Sequence, residues 1–147
     1  MRINPYLIFK GQCGDAFRFY HQLLGGELGV MTHGESPMKD QTPPEMADAV
    51  MHAMLKVDGF ELMGSDAPLG QFEKPQGFAV TLQVDTAGDA ERIFTALAEG
   101  GSVQMPLHET FWSPAFGILT DRFGTPWMVS AAPAAQPAGA REAVAAA

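Results

Sequence analysis

The sequence predicts an α+β protein made of two copies of one module, each in the order strand, helix, strand, strand, strand. The same succession of apolar strand-like segments and amphipathic helical segments runs through both halves of the chain. Both predicted helices end at a Gly-Gly pair, in LLGGE and AEGGS, and Asp58-Gly59 is the strongest hairpin signal in the chain. Because the identity between the halves is slight, the repeat rests on the order of the elements.

In the first half, apolar residues keep helical spacing after Gly14 and alternate with polar ones around Asp58-Gly59. The proline-rich stretch from Gly34 to Ala49 reads as a long loop. The predicted elements, in order, are a strand at PYLIFK, a helix at GDAFRFYHQLLGG, a strand at ELGVMTH, the loop, and hairpin strands at AVMHAMLKV and FELMGS.

The second half repeats this order with different residues. An apolar stripe predicts a helix from about Thr86 to Glu99. The other predicted elements are a strand at FAVTLQV before that helix, a short strand near VQM after it, and two closing strands at FGILT and WMVS.

The length of 147 residues sits in the one-domain range and allows a sizeable core. We expect a single domain over residues 1–131, with modules at about 3–66 and 77–131, followed by an Ala/Pro-rich tail at 132–147. The formal net charge of -8 opposes binding to phosphate backbones, so a nucleic-acid partner is not expected.

We expect a cytoplasmic protein. The opening MRINPYLIFKGQ lacks a signal-peptide pattern, and no apolar run reaches membrane-spanning length, so no membrane partner is expected. The only cysteine, Cys13, cannot form an internal disulfide, which fits a reducing compartment. A buried or helix-start thiol is a better interpretation of Cys13 than a nucleophile, because no activating base is visible nearby.

The two-residue turn at Asp58-Gly59 fixes the register of the hairpin and therefore the composition of its two faces. One face is apolar and suits packing against a helix. The opposed pairs on the other face are Lys56 and Glu61, Met54 and Met63, and His52 and Ser65. Mixed polar groups and flexible thioethers suit the wall of a ligand groove, while a solvated face with a Lys56–Glu61 ion pair is the alternative.

Three stretches of this sequence, together with the order of its elements, resemble the PhnB-like branch of the glyoxalase, bleomycin-resistance and dioxygenase superfamily, the vicinal oxygen chelate fold. The stretches are NPYLIFKGQCGDAFRFY, FELMGSD and ETFWSPAFGILTDRFGTPWMVS, and the resemblance spans about residues 3–131. The resemblance implies two βαβββ modules with curled mixed sheets around a cavity, completed in a homodimer. It also implies a divalent metal held by four side chains.

Carried over by motif, the four metal positions fall at Pro5, Glu61, Ala79 (or Phe78) and Met128. Only Glu61 could ligate a hard or borderline ion, because proline and alanine offer no side-chain donor and a thioether is a soft ligand. We therefore expect no metal and no cofactor.

The same facing rule predicts which side chains line the cavity. These are Leu7, Phe9, His52, Met54, Glu61, Met63, Ser65, Ala79, Thr81, Gln83, Met128 and Ser130. Phe111 and Trp112 are expected to be lid or dimer contacts, and the alternative is that they simply pack against the rest of the chain. Trp127, on the opposite strand face from Met128, is expected in the core.

Glu61 and His52 are the candidate catalytic residues. An unpaired Glu61 would serve as a general base or ligand anchor, whereas contact with Lys56 would make it structural. His52 is a proton-transfer candidate by side-chain type.

Three functions remain open. The first is a PhnB-like small-molecule binding protein without the usual metal set. The second is a metal-dependent lyase, isomerase or dioxygenase with a relocated site at Glu61 and His52, completed by Glu109 or by a dimer partner. The third is a drug-sequestering resistance protein whose negative charge attracts cations.

Overall fold

The computed structural model describes residues 1–133, so all but the first two residues of the predicted tail lie outside the described part. The chain forms two compact units. The first contains Met1–Phe78 together with Phe123–Thr125, and the second contains Ala79–Arg122 together with the residues from Pro126. Within residues 1–133, neither helix is long and apolar enough to cross a bilayer.

The first unit has one helix and a four-stranded mixed sheet. Its elements are β1 (Tyr6–Phe9), α1 (Cys13–Leu24), β2 (Glu27–Thr32), β3 (Val50–Val57) and β4 (Phe60–Asp66), with 3-10 turns at Lys39–Gln41 and Pro44–Met46 between β2 and β3. The strand order is β1-β4-β3-β2, with β1 parallel to β4 and the other pairs antiparallel.

The second unit repeats this arrangement. Its elements are β5 (Val80–Val84), α2 (Ala87–Ala98), β6 (Ser102–His108), β7 (Phe116–Thr120) and β8 (Pro126–Ala131). The strand order is β5-β8-β7-β6, and again only the first and last strands of the module run parallel. The predicted α+β class and the two βαβββ modules are confirmed, although β6 is longer than the short strand expected near VQM.

The two helices start with different caps. At the start of α2, the Thr86 hydroxyl accepts a hydrogen bond from the Asp89 amide at 3.1 Å and donates to the Asp89 carboxylate at 2.8 Å. The residue before α1 is Gln12, whose side chain makes no capping hydrogen bond. For α1, the cap comes from another element, because the Cys13 amide donates to a carboxylate oxygen of Asp66 at the end of β4 at 3.0 Å.

Each helix packs on one face of the sheet in its own unit, and a strand glycine makes room for a helix phenylalanine. A Cβ on Gly64 would lie 2.7 Å from the Phe17 ring, and one on Gly117 would lie 2.5 Å from the Phe94 ring. Such distances are too short for any larger residue, so these glycines let the helices approach closely. Leu55, Leu119, Trp127 and Val129 are among the fully buried side chains of these cores.

Asp66 ties the start of α1 to the start of β3. Its side chain is buried, with 6% of its surface exposed, and its second carboxylate oxygen accepts a hydrogen bond from the Val50 amide at 2.8 Å. Both donors are backbone N–H groups removed from water, so each needs an acceptor. Asp66 therefore acts as a cap, the role favoured for it by the sequence.

We expect Asp66→Ala to lower the free energy of unfolding by about 2–4 kcal/mol, because two buried amides lose their acceptor and each such loss costs about 1–3 kcal/mol. Urea unfolding followed by circular dichroism measures the change. The matched control is Asp48→Ala, since Asp48 is exposed. Equal unfolding midpoints for the two variants would show that Asp66 does not have this role.

Candidate functional site

Each sheet has a face opposite its helix, which we call the open face. On the first sheet, the strand pairings place side chains from all four strands on this face. They are Tyr6, Ile8, Glu27, Met31, His52, Met54, Lys56, Glu61, Met63 and Ser65. The predicted hairpin register is confirmed from Val57↔Phe60 to Ala53↔Gly64, including the Met54↔Met63 and Lys56↔Glu61 pairs.

The placement predicted for β1 is wrong by one residue. Leu7 and Phe9 were expected in the cavity lining, but only 4% and 2% of their surfaces are exposed, and the Phe9 ring contacts Phe17 of α1. Tyr6 and Ile8 take the open face instead. A one-residue shift moves every side chain of a strand to the other face, and the all-apolar run YLIF gives no alternation to fix the register.

Glu61 lies on the open face at the hairpin end of β4, where three donors hold its carboxylate. Asn4 Nδ2 donates at 2.9 Å, Arg2 Nη1 lies at 3.3 Å and Lys56 Nζ at 3.8 Å. Only 15% of its side-chain surface is exposed. This geometry favours the structural ion pair over the unpaired general base.

His52 is paired with Tyr6 on the same open face. The Tyr6 hydroxyl and His52 Nδ1 are 3.3 Å apart, and the two ring centroids are 5.9 Å apart. One imidazole nitrogen of His52 is thus engaged with the Tyr6 hydroxyl. Sequence reasoning missed Tyr6, and only the correct facing of β1 would have revealed it.

The open face of the second sheet contains the residues that β5 and β8 were expected to contribute. Thr81 pairs with Met128 and Gln83 with Ser130. Ala79 precedes β5 and is outside the sheet. The prediction that Trp127 lies in the core is confirmed, because it is fully buried and its Nε1 donates to Asp121 at 2.8 Å.

An aromatic cluster adjoins this second open face. Phe111 and Trp112 are 97% and 47% exposed, and their rings meet edge to face at 4.7 Å. Trp112 also contacts Phe116 of β7 at 5.4 Å, and His108 contacts Phe116 at 6.4 Å. Phe116 pairs with Ser130, so it links the loop to the open face. It was missed because FGILT has too little alternation to indicate which residues face outward.

The strand registers make positions in the two modules equivalent. Tyr6 pairs with Met63 as Thr81 pairs with Met128, and each methionine is followed two residues later by a serine, Ser65 or Ser130. The same Met-x-Ser arrangement therefore occupies the same register position on both open faces.

By this equivalence Glu61 and Met128, two of the positions carried over by motif, are not counterparts of each other. If Met128 is the ligand position on β8, its counterpart on β4 is Met63, and the counterparts on β1 and β5 are Tyr6 and Thr81. Two thioethers, a phenol and an aliphatic hydroxyl do not fit zinc, iron, manganese or nickel, which take imidazole and carboxylate ligands. The described residues do not fit the metal of the vicinal oxygen chelate fold.

The described part of the chain also lacks a set of side chains that could hold a relocated metal ion. Over residues 1–133, no three His, Cys, Asp or Glu side chains come together around a common point. Glu109 is exposed in the loop after β6, and the hydrogen-bonding partner of His52 is a tyrosine.

The fold defines the class of protein. The two four-stranded mixed sheets with their helices form the glyoxalase-like, vicinal oxygen chelate fold. FosX from Listeria monocytogenes, a fosfomycin resistance protein, superposes with a TM-score of 0.60 at 8% identity, covering 88% of this chain and 90% of that one. At this identity the likeness concerns the fold alone.

Nearer relatives identify the family. A family model described as 3-demethylubiquinone-9 3-methyltransferase matches residues 1–130. Protein YjdN of Escherichia coli K12 is 35% identical over 139 residues, 88% of this chain and 95% of YjdN. The chain therefore belongs to this family, the PhnB-like branch of the glyoxalase superfamily.

Two solved structures are similar along most of the chain. PA1353 from Pseudomonas aeruginosa is 51% identical with a TM-score of 0.82, covering 90% of this chain and 98% of PA1353. A Bacillus cereus protein described as a PhnB protein is 25% identical with a TM-score of 0.74, covering 90% of this chain and all of that one.

We expect the thiol of Cys13 to resist alkylation in the folded protein. Burial raises its pKa to about 12, with the nearby Asp66 charge adding a smaller increase. The thiolate is the reactive form, so iodoacetamide at pH 8 should label the native chain far more slowly than the urea-unfolded chain. The pKa of this thiol is higher in the folded chain than in the unfolded chain. The free energy of unfolding is therefore unaffected by its ionisation below pH 9 and falls as the pH rises from 9 toward 12. Equal labelling rates by mass spectrometry would contradict this.

Proposed function

We propose that this protein binds a small, largely apolar organic molecule on its open sheet faces, in the cytoplasm, without a bound divalent metal. The observation that carries the proposal is the repeated Met-x-Ser arrangement at Met63–Ser65 and Met128–Ser130. With Met128 at the inherited ligand position, as carried over by motif, a thioether replaces the ligand that metal enzymes of this fold need there. The adjacent serine supplies one hydroxyl as a polar handle.

The composition of the first open face supports an apolar ligand with few polar groups. Met54 and Met63 stand side by side, and Ile8 lies close by on β1, which gives an adaptable apolar wall. The Tyr6–His52 pair offers an oriented donor and acceptor. Mostly apolar walls with a few placed polar groups are typical of small-molecule sites.

The charged end of this face supports binding more than catalysis. Glu61 is occupied by Asn4, Arg2 and Lys56, so its carboxylate anchors the hairpin and the chain start. His52 and Tyr6 remain for ligand contact. The name of the matching family describes a methyl transfer, but nothing in these contacts provides for a methyl donor.

A homodimer is part of the proposal. The exposed aromatic pair Phe111 and Trp112 supports it, because large aromatic side chains in contact with each other on a surface are typical of interfaces. These residues would then be dimer contacts or a lid at the edge of the second open face, as the sequence suggested.

The methionine methyl groups provide a direct test. A panel of small apolar and aromatic compounds, including cationic drugs, is screened by thermal shift. Binders are then titrated into protein carrying 13C-methyl methionine. We expect saturable shifts at Met54, Met63 or Met128, and none at Met38, which lies in the loop before β3. Shifts confined to methionines away from the open faces would reject the proposal.

A charged residue placed on the first open face should weaken ligand binding, whereas the same charge placed elsewhere should not. We expect Met63→Glu to weaken the best binder at least tenfold, because burying an unpaired carboxylate costs at least about 1–3 kcal/mol. Met38→Glu is the matched control, since it introduces the same charge at an exposed position. Equal affinity of the two variants in isothermal titration would contradict the assignment. Affinity that falls steeply with added salt would indicate charge-driven capture of cations instead.

Binding should not depend on a divalent ion. We expect protein purified without chelator to hold no stoichiometric nickel, zinc, manganese or iron by elemental analysis, and ligand affinity to be unchanged by EDTA. The physical reason is the thioether and hydroxyl donor set at Tyr6, Met63, Thr81 and Met128. A stoichiometric ion that is lost in Glu61→Gln or His52→Ala would instead support a relocated metal site.

A further inference from the structure

The first unit contains a concave site at the ends of β1 and β4, away from the open face. Its volume is about 350 Å³, within the range of small-molecule pockets. Residues from the ends of the two strands, from the 3-10 turn before β3 and from the loop after β4 form its walls. They are Lys10, Gly11, Glu45, Met46, Ala49, Asp66, Ala67, Pro68, Leu69, Gly70 and Phe72.

The charged side chains around this cavity have opposite signs and do not form ion pairs with each other. Lys10 and Glu45 are both exposed, and among residues 1–133 neither forms an ion pair or a side-chain hydrogen bond. Asp66 lies in the wall as a third charged group, with each oxygen already accepting one backbone N–H. A carboxylate oxygen has a further lone pair, so Asp66 can still accept from a ligand.

The rest of the wall is apolar. Met46, Leu69 and Phe72 contribute large apolar side chains, and Leu69 is 64% exposed although it borders the cavity. An apolar ligand group placed here would remove such surface from water, which is favourable at roughly 25 cal/mol per Å².

We propose that this cavity binds an amino-acid-like zwitterion with an apolar side chain. The ligand carboxylate pairs with Lys10, its ammonium group faces Glu45 and Asp66, and its side chain lies against Met46, Leu69 and Phe72. A ligand with only a positive charge would leave Lys10 unpaired beside it. A ligand with only a negative charge would lie beside the carboxylates of Glu45 and Asp66. A ligand with both charges and an apolar body complements all three parts of the wall.

This site is independent of the open face described above. None of its lining residues belongs to the open face, because Lys10 lies beyond the end of β1 and Asp66 has the opposite facing from Ser65 on β4. The inference therefore goes beyond the proposed function, and either can fail without the other.

The test uses amide NMR of the full chain with L-phenylalanine and L-leucine as probes. We expect saturable shifts at Gly11, Ala49, Ala67 and Gly70. Phenethylamine lacks the carboxylate and 3-phenylpropionate lacks the ammonium group, so each should bind at least threefold more weakly than L-phenylalanine. An absence of saturable shifts at millimolar amino acid overturns the proposal. Equal binding of either single-charge analogue overturns the zwitterion assignment.

Two variants and one control complete the experiment. Lys10→Met should weaken L-phenylalanine at least threefold and leave phenethylamine unchanged or tighter, because only the carboxylate contact is removed. Ala49→Leu should block all the probes by filling the cavity. Lys74→Met removes the same charge from an exposed loop residue outside the lining and should change nothing. If Lys10→Met binds L-phenylalanine as tightly as Lys74→Met does, the proposed carboxylate contact is wrong.

Met63→Glu separates this proposal from the proposed function. It should leave the L-phenylalanine shifts intact while it weakens the ligand of the open face. If folded Met63→Glu protein loses both the L-phenylalanine shifts and the ligand of the open face, the two sites are not independent. That result would overturn the amino-acid site proposed here.

Discussion

The parallel pairing of the first and last strands in each unit determines which side chains serve the core and which face outward. Side chains alternate along a strand, so one register fixes both faces at once. In the first unit the Leu7↔Gly64 pair lies under α1, and the neighbouring Tyr6↔Met63 pair is therefore outside. In the second unit the same rule buries Val129 and presents Met128. The helix-packed core and the candidate binding face are two consequences of this pairing.

Most of the fold was predictable because its elements carry local signals. The Asp58-Gly59 turn, with positive φ at both residues, fixes the hairpin register, and the Gly-Gly pairs follow the helices. The face of β1 was not predictable, since YLIF is apolar at every position and the pairing that orients it comes from β4, far along the sequence. The strand registers also make Met63 the counterpart of Met128, which the resemblance did not indicate.

The candidate site could be predicted in part. His52, Met54, Glu61, Met63, Thr81 and Gln83 lie on the open faces as the alternation of their strands indicated. Tyr6 and Phe116 were missed, because each lies in a strand with weak alternation. Of the three partners of Glu61, only Lys56 was predictable, because the hairpin places it opposite Glu61. Arg2 and Asn4 precede β1, and no local pattern indicates that they reach a strand far along the chain.

Two carboxylates of the first unit, Glu61 and Asp66, support the proposed binding role over acid–base chemistry. A general base needs a carboxylate that can approach a substrate proton, yet Glu61 is held by three donors and Asp66 by two buried amides. Releasing either one would expose unpaired donors and weaken the hairpin or the helix cap. The charged side chains Glu27, Lys56 and Glu61 lie together at the hairpin end of the first open face, and the functional groups on the rest of that face are thioethers, hydroxyls and one imidazole. Such groups recognise the shape and hydrogen-bonding pattern of a ligand, and none of them brings a fixed charge to a reacting atom.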